Sequence, residues 1–255
     1  MGSASLPVAM DHTKFTTIAH RRHQYCNPLD PAALERVLGL ADLRAGQQVL
    51  DVGCGKATLL VHLAERYGVR CTGVDINASF LGEGRAESER RGVAKAVTLV
   101  EIEASRWEVP TASFDLGACI GSTHAFGTYR DTLRQLARLV RRGGHVLVGE
   151  GYWKRAPAPE YLARLEATAD DYVTHEGNIE VGAAEGLESR CACVSSEDDW
   201  DRYEDLYART VEQYVAEHPD DPDAPAMRDR IRRWRETYLG WGRDTLGFGL
   251  YLFRR

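Results

Sequence analysis

The chain reads as an α/β protein, a parallel sheet covered by helices on both faces, with a helical insertion before its last strand. Three observations carry this. Between residues 45 and 153 short apolar runs alternate with amphipathic stretches of helical length, the order that builds a parallel sheet. The first run breaks into a glycine turn before its helix begins, in "VLDVGCGKATLL", Val49 to Leu60. The last hundred residues abandon the alternation for long helices and close on an apolar run, "GFGLYLFRR".

Taken in order, residues 11–40 form N-terminal helices, one over 11–26 and one over about 31–40 after "NPLDP". "QQVLDVG" is a strand. "KATLLVHLAERYG" is a helix with Leu60, Leu63, Ala64 and Tyr67 on one face and Gly68 as its stop. "VRCTGVDI" is a strand, 77–91 a polar helix, and "AVTLVEI" and "SFDLGACIG" are strands. "YRDTLRQLARLVRRGG" turns Leu133, Leu136, Ala137 and Val140 inward as a helix, and "HVLVGEG" is the fifth strand. A helix over 159–173 leads to the strand "LESRCACVS". Two helices, about 197–217 and 225–245, fill the insertion at 196–246. With no repeat or low-complexity linker, residues 1–255 read as one domain, with the insertion as glue or lid.

Composition narrows the function. With 255 residues, 44% hydrophobic and 27% charged, and a net charge of −6, this is a chain of soluble, cytoplasmic type. The mild acidity argues against a nucleic-acid surface, which needs clustered Lys and Arg. No apolar run is long enough for a membrane span, and "MGSASLPVAM" lacks a signal-peptide pattern. The six cysteines contain no CxxC pair, which fits free thiols and no metal site.

The glycine turn lets backbone N–H groups approach a ligand closely. A dinucleotide fold would read GxGxxG, and Thr58 stands where the third glycine belongs. Asp51, just before the glycines, repels a pyrophosphate and attracts a cation. Asp75 ends the next strand, 20 residues past Gly55, where a carboxylate accepts from ribose hydroxyls. Glu103 is read as ending the third strand, placed for an adenine amino group. A ligand with a cationic head, a ribose and an adenine is S-adenosylmethionine.

"VLDVGCGKA", "GVDIN", "EASRWEVPTASFD" and "LVRRGGHVLVGE", in this order, resemble the class I S-adenosylmethionine-dependent methyltransferases over roughly residues 45–150, within a cofactor-binding core read as 45–153. The resemblance implies a Rossmann-like, seven-stranded, mostly parallel sheet with its last strand antiparallel, which suits "GFGLYLFRR". It implies cofactor contacts at Asp51, Gly53, Cys54, Gly55, Asp75, Ile76, Glu103, Ala104 and Cys119. The family loop often reads GxGxG, and here Ala57 takes the last position. "CIGSTHAFG", "GEGYW" and "WDRYE" further resemble a bacterial branch acting on small molecules.

Ligands of open α/β sheets bind beyond the carboxyl ends of the strands. The tail of the fourth strand, Gly121 to Gly127, then faces the substrate. Methyl transfer asks the protein to position a nucleophile and exclude water. A base is needed only where the nucleophile carries a proton. His124 is the candidate base, against the alternative of a hydrogen-bonded structural histidine. Glu150 is the candidate orienting acid. Tyr152, Trp153 and Trp241 are the candidate substrate walls, against plain packing. "HRRHQY", His20 to Tyr25, is placed to fold over the cofactor. The expected activity is methyl transfer to an O, N or C atom of a small metabolite. The alternatives are a cyclisation or elimination on the same scaffold, or a non-catalytic partner subunit.

Overall fold

In the computed structural model, residues 11–255 are described; the reading of "MGSASLPVAM" falls outside them. Two short helices come first, α1 (His12–His20) and α2 (Pro31–Gly39). Asp11 and Asp30 start them, each carboxylate accepting from two backbone N–H groups. Then β1 (Gln48–Val52), α3 (Thr58–Tyr67), β2 (Arg70–Asp75), α4 (Ala78–Arg90), β3 (Val97–Glu101) and β4 (Phe114–Ile120) alternate as the sequence predicts. They are followed by α5 (Tyr129–Leu139), β5 (Val140–Trp153), α6 (Pro159–Leu165), α7 (His175–Ala184) and β6 (Glu188–Val194). The chain closes with α8 (Glu197–Glu217), α9 (Ala224–Thr237) and β7 (Leu246–Arg254).

The seven strands make one sheet in the order β3-β2-β1-β4-β5-β7-β6. Neighbours from β3 to β5 are parallel, and β7 runs antiparallel between β5 and β6. Side chains alternate across it. Val49, Leu147, Leu250 and Leu252 join α2 and α3 on one face. Leu50, Val52, Val146, Val148 and Tyr251 join α5 on the other. A third cluster stands apart from both. Phe15, Ile18 and Ala19 of α1 pack on Ala208, Val211 and Val215 of α8 and Met227 and Ile231 of α9. Lys14 Nζ ties α1 to the α8–α9 turn, at 2.7 Å from Asp221 and 2.8 Å from Asp223.

Several elements differ from the sequence reading. Val140, read as the inward face of a helix, opens β5 instead, since α5 stops at Leu139. α1 stops at His20, not 26, because the Lys56 ammonium takes the carbonyls of His20 and His23. The helix expected over 159–173 is α6 alone, ended by Glu166 in a left-handed conformation (φ 54°). α7 follows; its sequence, HEGNIEVGAA, has no apolar stripe to announce it. The helix read as 225–245 loosens after Thr237 into a wide π turn, Tyr238–Gly242, which holds two glycines. Among the described residues no helix is long and apolar enough to cross a membrane.

Candidate active site

The carboxyl ends of β1, β2, β3 and β4 open into a cavity of about 720 Å³, roofed by α1 and residues 24–27. Its floor is the glycine turn. Gly53 (φ 69°) and Gly55 (φ 52°) are left-handed, a region glycine enters without steric cost. A Cβ on Gly53 would lie 2.3 Å from the Cβ of Ser122, so the turn presses directly on the tail of β4. Ala57 (φ 56°) is left-handed as well and opens α3 without a side-chain cap. It holds a conformation that suits the glycine it replaces.

Three carboxylates line the cavity: Asp51, Asp75 and Glu103. Asp75 is held from both sides. Gly55 N–H donates to its Oδ2 at 2.8 Å and Asn77 N–H to its Oδ1 at 2.8 Å. Each oxygen keeps a lone pair for a ligand. Asp51 is buried and, among the described residues, accepts no hydrogen bond. Burial, and then the charge of Asp75, push its pKa up to about 7. Glu103 does not end the third strand as expected. β3 stops at Glu101, and Glu103 begins the short turn after it. Its carboxylate is half exposed and meets Arg106 Nε at 2.8 Å. Cys54, Ile76 and Ala104 are also on the wall, with Ile76 68% exposed towards it.

Cys119 is not on the wall. It is fully buried in the sheet core beneath the site, and its neighbour Ile120 lines the cavity instead. His124 does line it. The imidazole is exposed on the short turn Thr123–Ala125. Glu150 lies off the cavity, beneath that turn. It accepts from the Thr123 hydroxyl and from Gly151 N–H, and burial raises its pKa. Thr132 Oγ1 also donates to the Thr123 carbonyl, at 3.0 Å, so the turn carrying His124 is fastened twice.

Tyr152, Trp153 and Trp241 are not cavity walls. β5 runs on through Trp153, paired with Leu246 of β7, and this buries both aromatics beside the strand. Tyr152 packs on His175, and Trp153 packs on Tyr161 and Tyr172 while donating from Nε1 to Ala169 O at 2.9 Å. Trp241 lies under the Arg164 guanidinium, 5.2 Å from ring centroid to Cζ.

The cavity brings in residues that sequence reasoning left out: Thr16 and Asn27 on the roof and Lys56 in the floor. The cluster "HRRHQY" was the signal, and His20, Gln24 and Tyr25 do reach the wall. His20 Nδ1 donates to Thr16 O at 2.9 Å, which leaves Nε2 to accept from Tyr203 OH at 2.9 Å. Burial holds its pKa down to about 4.

A family described as a methyltransferase domain matches residues 49–144. YjhP of Escherichia coli is 28% identical over 247 residues, 95% of this chain and 98% of that one. The ubiquinone biosynthesis O-methyltransferase of Pseudomonas aeruginosa is 31% identical over 171 residues, 61% of this chain and 72% of that protein. An S-adenosylmethionine-dependent methyltransferase of Geobacter sulfurreducens, crystallised with S-adenosylhomocysteine, superposes with a TM-score of 0.89 at 28% identity. The match covers 96% of this chain and all of that one.

The chain belongs to the class I S-adenosylmethionine-dependent methyltransferases.

The cofactor of this methyltransferase is S-adenosylmethionine, and the cleft suits it. A buried carboxylate without a partner, Asp51, calls for a cation. Left-handed glycines at 53 and 55 in the lining leave the backbone of the turn bare for close approach. A braced acceptor pair at Asp75 calls for two hydroxyls. When bound, the cofactor supplies an activated methyl group on a sulfonium.

Proposed function

We propose that the methyltransferase moves the methyl group to an O, N or C atom of a small metabolite in the cytoplasm, with His124 as general base wherever the acceptor carries a proton. One observation carries this reading: the exposed imidazole of His124 lines the same cavity as Asp51 and Asp75. An imidazole in that place can take the proton of a bound nucleophile without a metal or a second acid. Glu150 acts through Thr123 to hold the turn, as a positioning residue.

On the cofactor side, Asp75 accepts from the ribose hydroxyls and Glu103 from the adenine amine, with Ile76 and Ala104 beside it. Asp51 faces the cationic head, and the backbone of Gly53, Cys54 and Gly55 lies against the ligand. The Pseudomonas relative is an O-methyltransferase, which puts hydroxyl compounds first among acceptors to try. The test is mass spectrometry of products formed with a methyl-labelled cofactor. A labelled product that His124→Ala forms far more slowly supports the reading. A product without the label points to cyclisation or elimination on this scaffold.

A further inference from the structure

Away from the cofactor cavity, the insertion holds a buried acid. Glu204 of α8 is 6% exposed, and its Oε2 accepts from Trp234 Nε1 of α9 at 2.6 Å. Among the described residues its Oε1 has no partner, and neither has Trp200 Nε1 one turn earlier on α8. Tyr161 of α6, Trp200, Trp234, Thr237 and Tyr238 of the π turn share a void of about 10 Å³ with it. Such a space takes about one water, too little to hydrate a carboxylate.

No counter-charge makes up for that. Among the described residues, the titratable groups that the Glu204 charge acts on are tyrosines: Tyr161 of α6, Tyr238, and Tyr203 and Tyr207 of α8. The cations of the neighbouring segments are engaged elsewhere. Arg243 is held by Asp201, which also accepts from Tyr238 OH, and Arg235 by Asp205. Arg230 lies over the Phe15 ring and Arg164 over Trp241. Burial therefore pushes the Glu204 carboxyl up to about 7, against the bond from Trp234. Once ionised, it needs solvent, and Trp234, 38% exposed, marks the near side.

The next residue of the helix serves the cofactor cavity. Tyr203 OH donates to His20 Nε2 at 2.9 Å, and the Tyr203 carbonyl accepts from His23 Nε2 at 3.1 Å. One turn of α8 thus holds the acid on one side and the roof of the cavity on the other.

Resting on the cofactor assignment and not on the choice of methyl acceptor, we propose that Glu204 is a pH-dependent latch. Protonated, it keeps α8 packed on α9. Ionised, its proton given to solvent, it swings out past Trp234, and Tyr203 slackens its hold on residues 20–23. The roof then opens more often. The latch is fully on below the ordinary glutamate range, weakens as pH rises to about 7, and is off above it. The open form stays a minority throughout, so the rate of cofactor exchange changes more than the affinity.

The test is amide exchange of the full chain without cofactor at pH 5 and pH 8, each rate referred to its intrinsic value. In the parent, opening across α8–α9 and at residues 21–27 is expected to rise about tenfold or more, each pH unit of linkage being tenfold. Glu204→Gln, uncharged and of the same shape, shows no such rise. Asp51 titrates in the same range but is present in both proteins, so the difference belongs to Glu204. Tyr203→Phe loosens the roof already at pH 5 and leaves the response of α8–α9 in place. The proposal is overturned by a Gln variant that responds as the parent does, or by a roof that stays still while α8–α9 opens. The carboxyl ¹³C shift of Glu204 in the parent needs no variant: it is expected to move near pH 7, and movement in the ordinary glutamate range also overturns the proposal. None of these readouts uses methyl transfer, so failure of the His124 assignment leaves them unchanged.

Discussion

The ammonium of Lys56, in the glycine turn, donates to the carbonyl of His20 at 3.0 Å, across 36 residues of sequence. A second bond runs to the carbonyl of His23, and Thr58 Oγ1 adds a third to Gln24 O at 2.9 Å. The floor of the cofactor cavity and its roof are thus joined by one short stretch of chain. Lys56→Met is expected to free residues 21–27. Amide exchange there rises, and S-adenosylhomocysteine binds about tenfold more weakly, since charge-assisted hydrogen bonds contribute ~1.5–3 kcal/mol. Unchanged exchange at residues 21–27 would show that the roof holds itself.

Cofactor affinity is expected to depend on pH through Asp51. In the free protein its pKa is raised to about 7. A cation needs the carboxylate form, so the complex has the lower pKa. Affinity is level above pH 7 and falls as pH drops below it, and binding near pH 7 releases a proton. Calorimetry in two buffers of different ionisation enthalpy measures that proton. In Asp51→Asn the release disappears and affinity is low throughout.

The same group acts on stability with the opposite sign. Its folded pKa lies above the unfolded value, so it favours the fold at low pH. That contribution is lost as pH rises through about 7. Asp51→Asn therefore raises the melting temperature of the free protein more at pH 8 than at pH 5. An equal shift at both would mean that the carboxyl titrates normally.

Asp75→Ala is expected to weaken cofactor binding by on the order of 2 kcal/mol or more, since two hydroxyls lose a charged acceptor. The Gly55 and Asn77 N–H groups lose their partner too, so the glycine turn loosens. Thermal shift with S-adenosylhomocysteine reads both effects; a variant binding as tightly as the parent removes the ribose role.

Gly53→Ala forces a left-handed alanine and a Cβ 2.3 Å from Ser122. The expected loss is about 2–4 kcal/mol from conformation and overpacking together. Ser122→Gly introduced beside it recovers the steric part, which a double-mutant cycle isolates.

His124→Ala is expected to lower kcat about 10²-fold for hydroxyl or protonated amine acceptors, with cofactor affinity unchanged. A stable, fully active variant removes His124 from the chemistry.

Most of what was legible in the sequence was local. The alternation of β1 to β4 with α3 to α5 follows from apolar periods, and Asp51, Gly53, Gly55 and Asp75 follow from their places at strand ends. His124 followed from the rule that ligands lie beyond the carboxyl ends. What was hidden depended on pairing between distant segments. β5 looked as if it ended at Gly151, and only β7 beside it shows why Tyr152 and Trp153 are buried. Cys119 was one residue out of phase, because the side-chain alternation of β4 sends it into the core. Asn27 and Lys56 belong to the site through a fold-back of the N-terminal segment that no periodicity records.

The third apolar cluster sets an order on biosynthesis. α1 is the first described helix to leave the ribosome, yet among the described residues Phe15 and Ile18 pack on α8 and α9, and Lys14 waits 207 residues for Asp221. The N-terminal wall of the cavity, with Thr16 and His20, therefore lacks its outer support while most of the polypeptide is made. Such long-range closure is slow and leaves apolar surface open in the meantime. The nascent chain completes the wall of its cofactor site late in translation, and a ribosome stalled before α8 carries an N-terminal helix whose phenylalanine still lacks its packing partners.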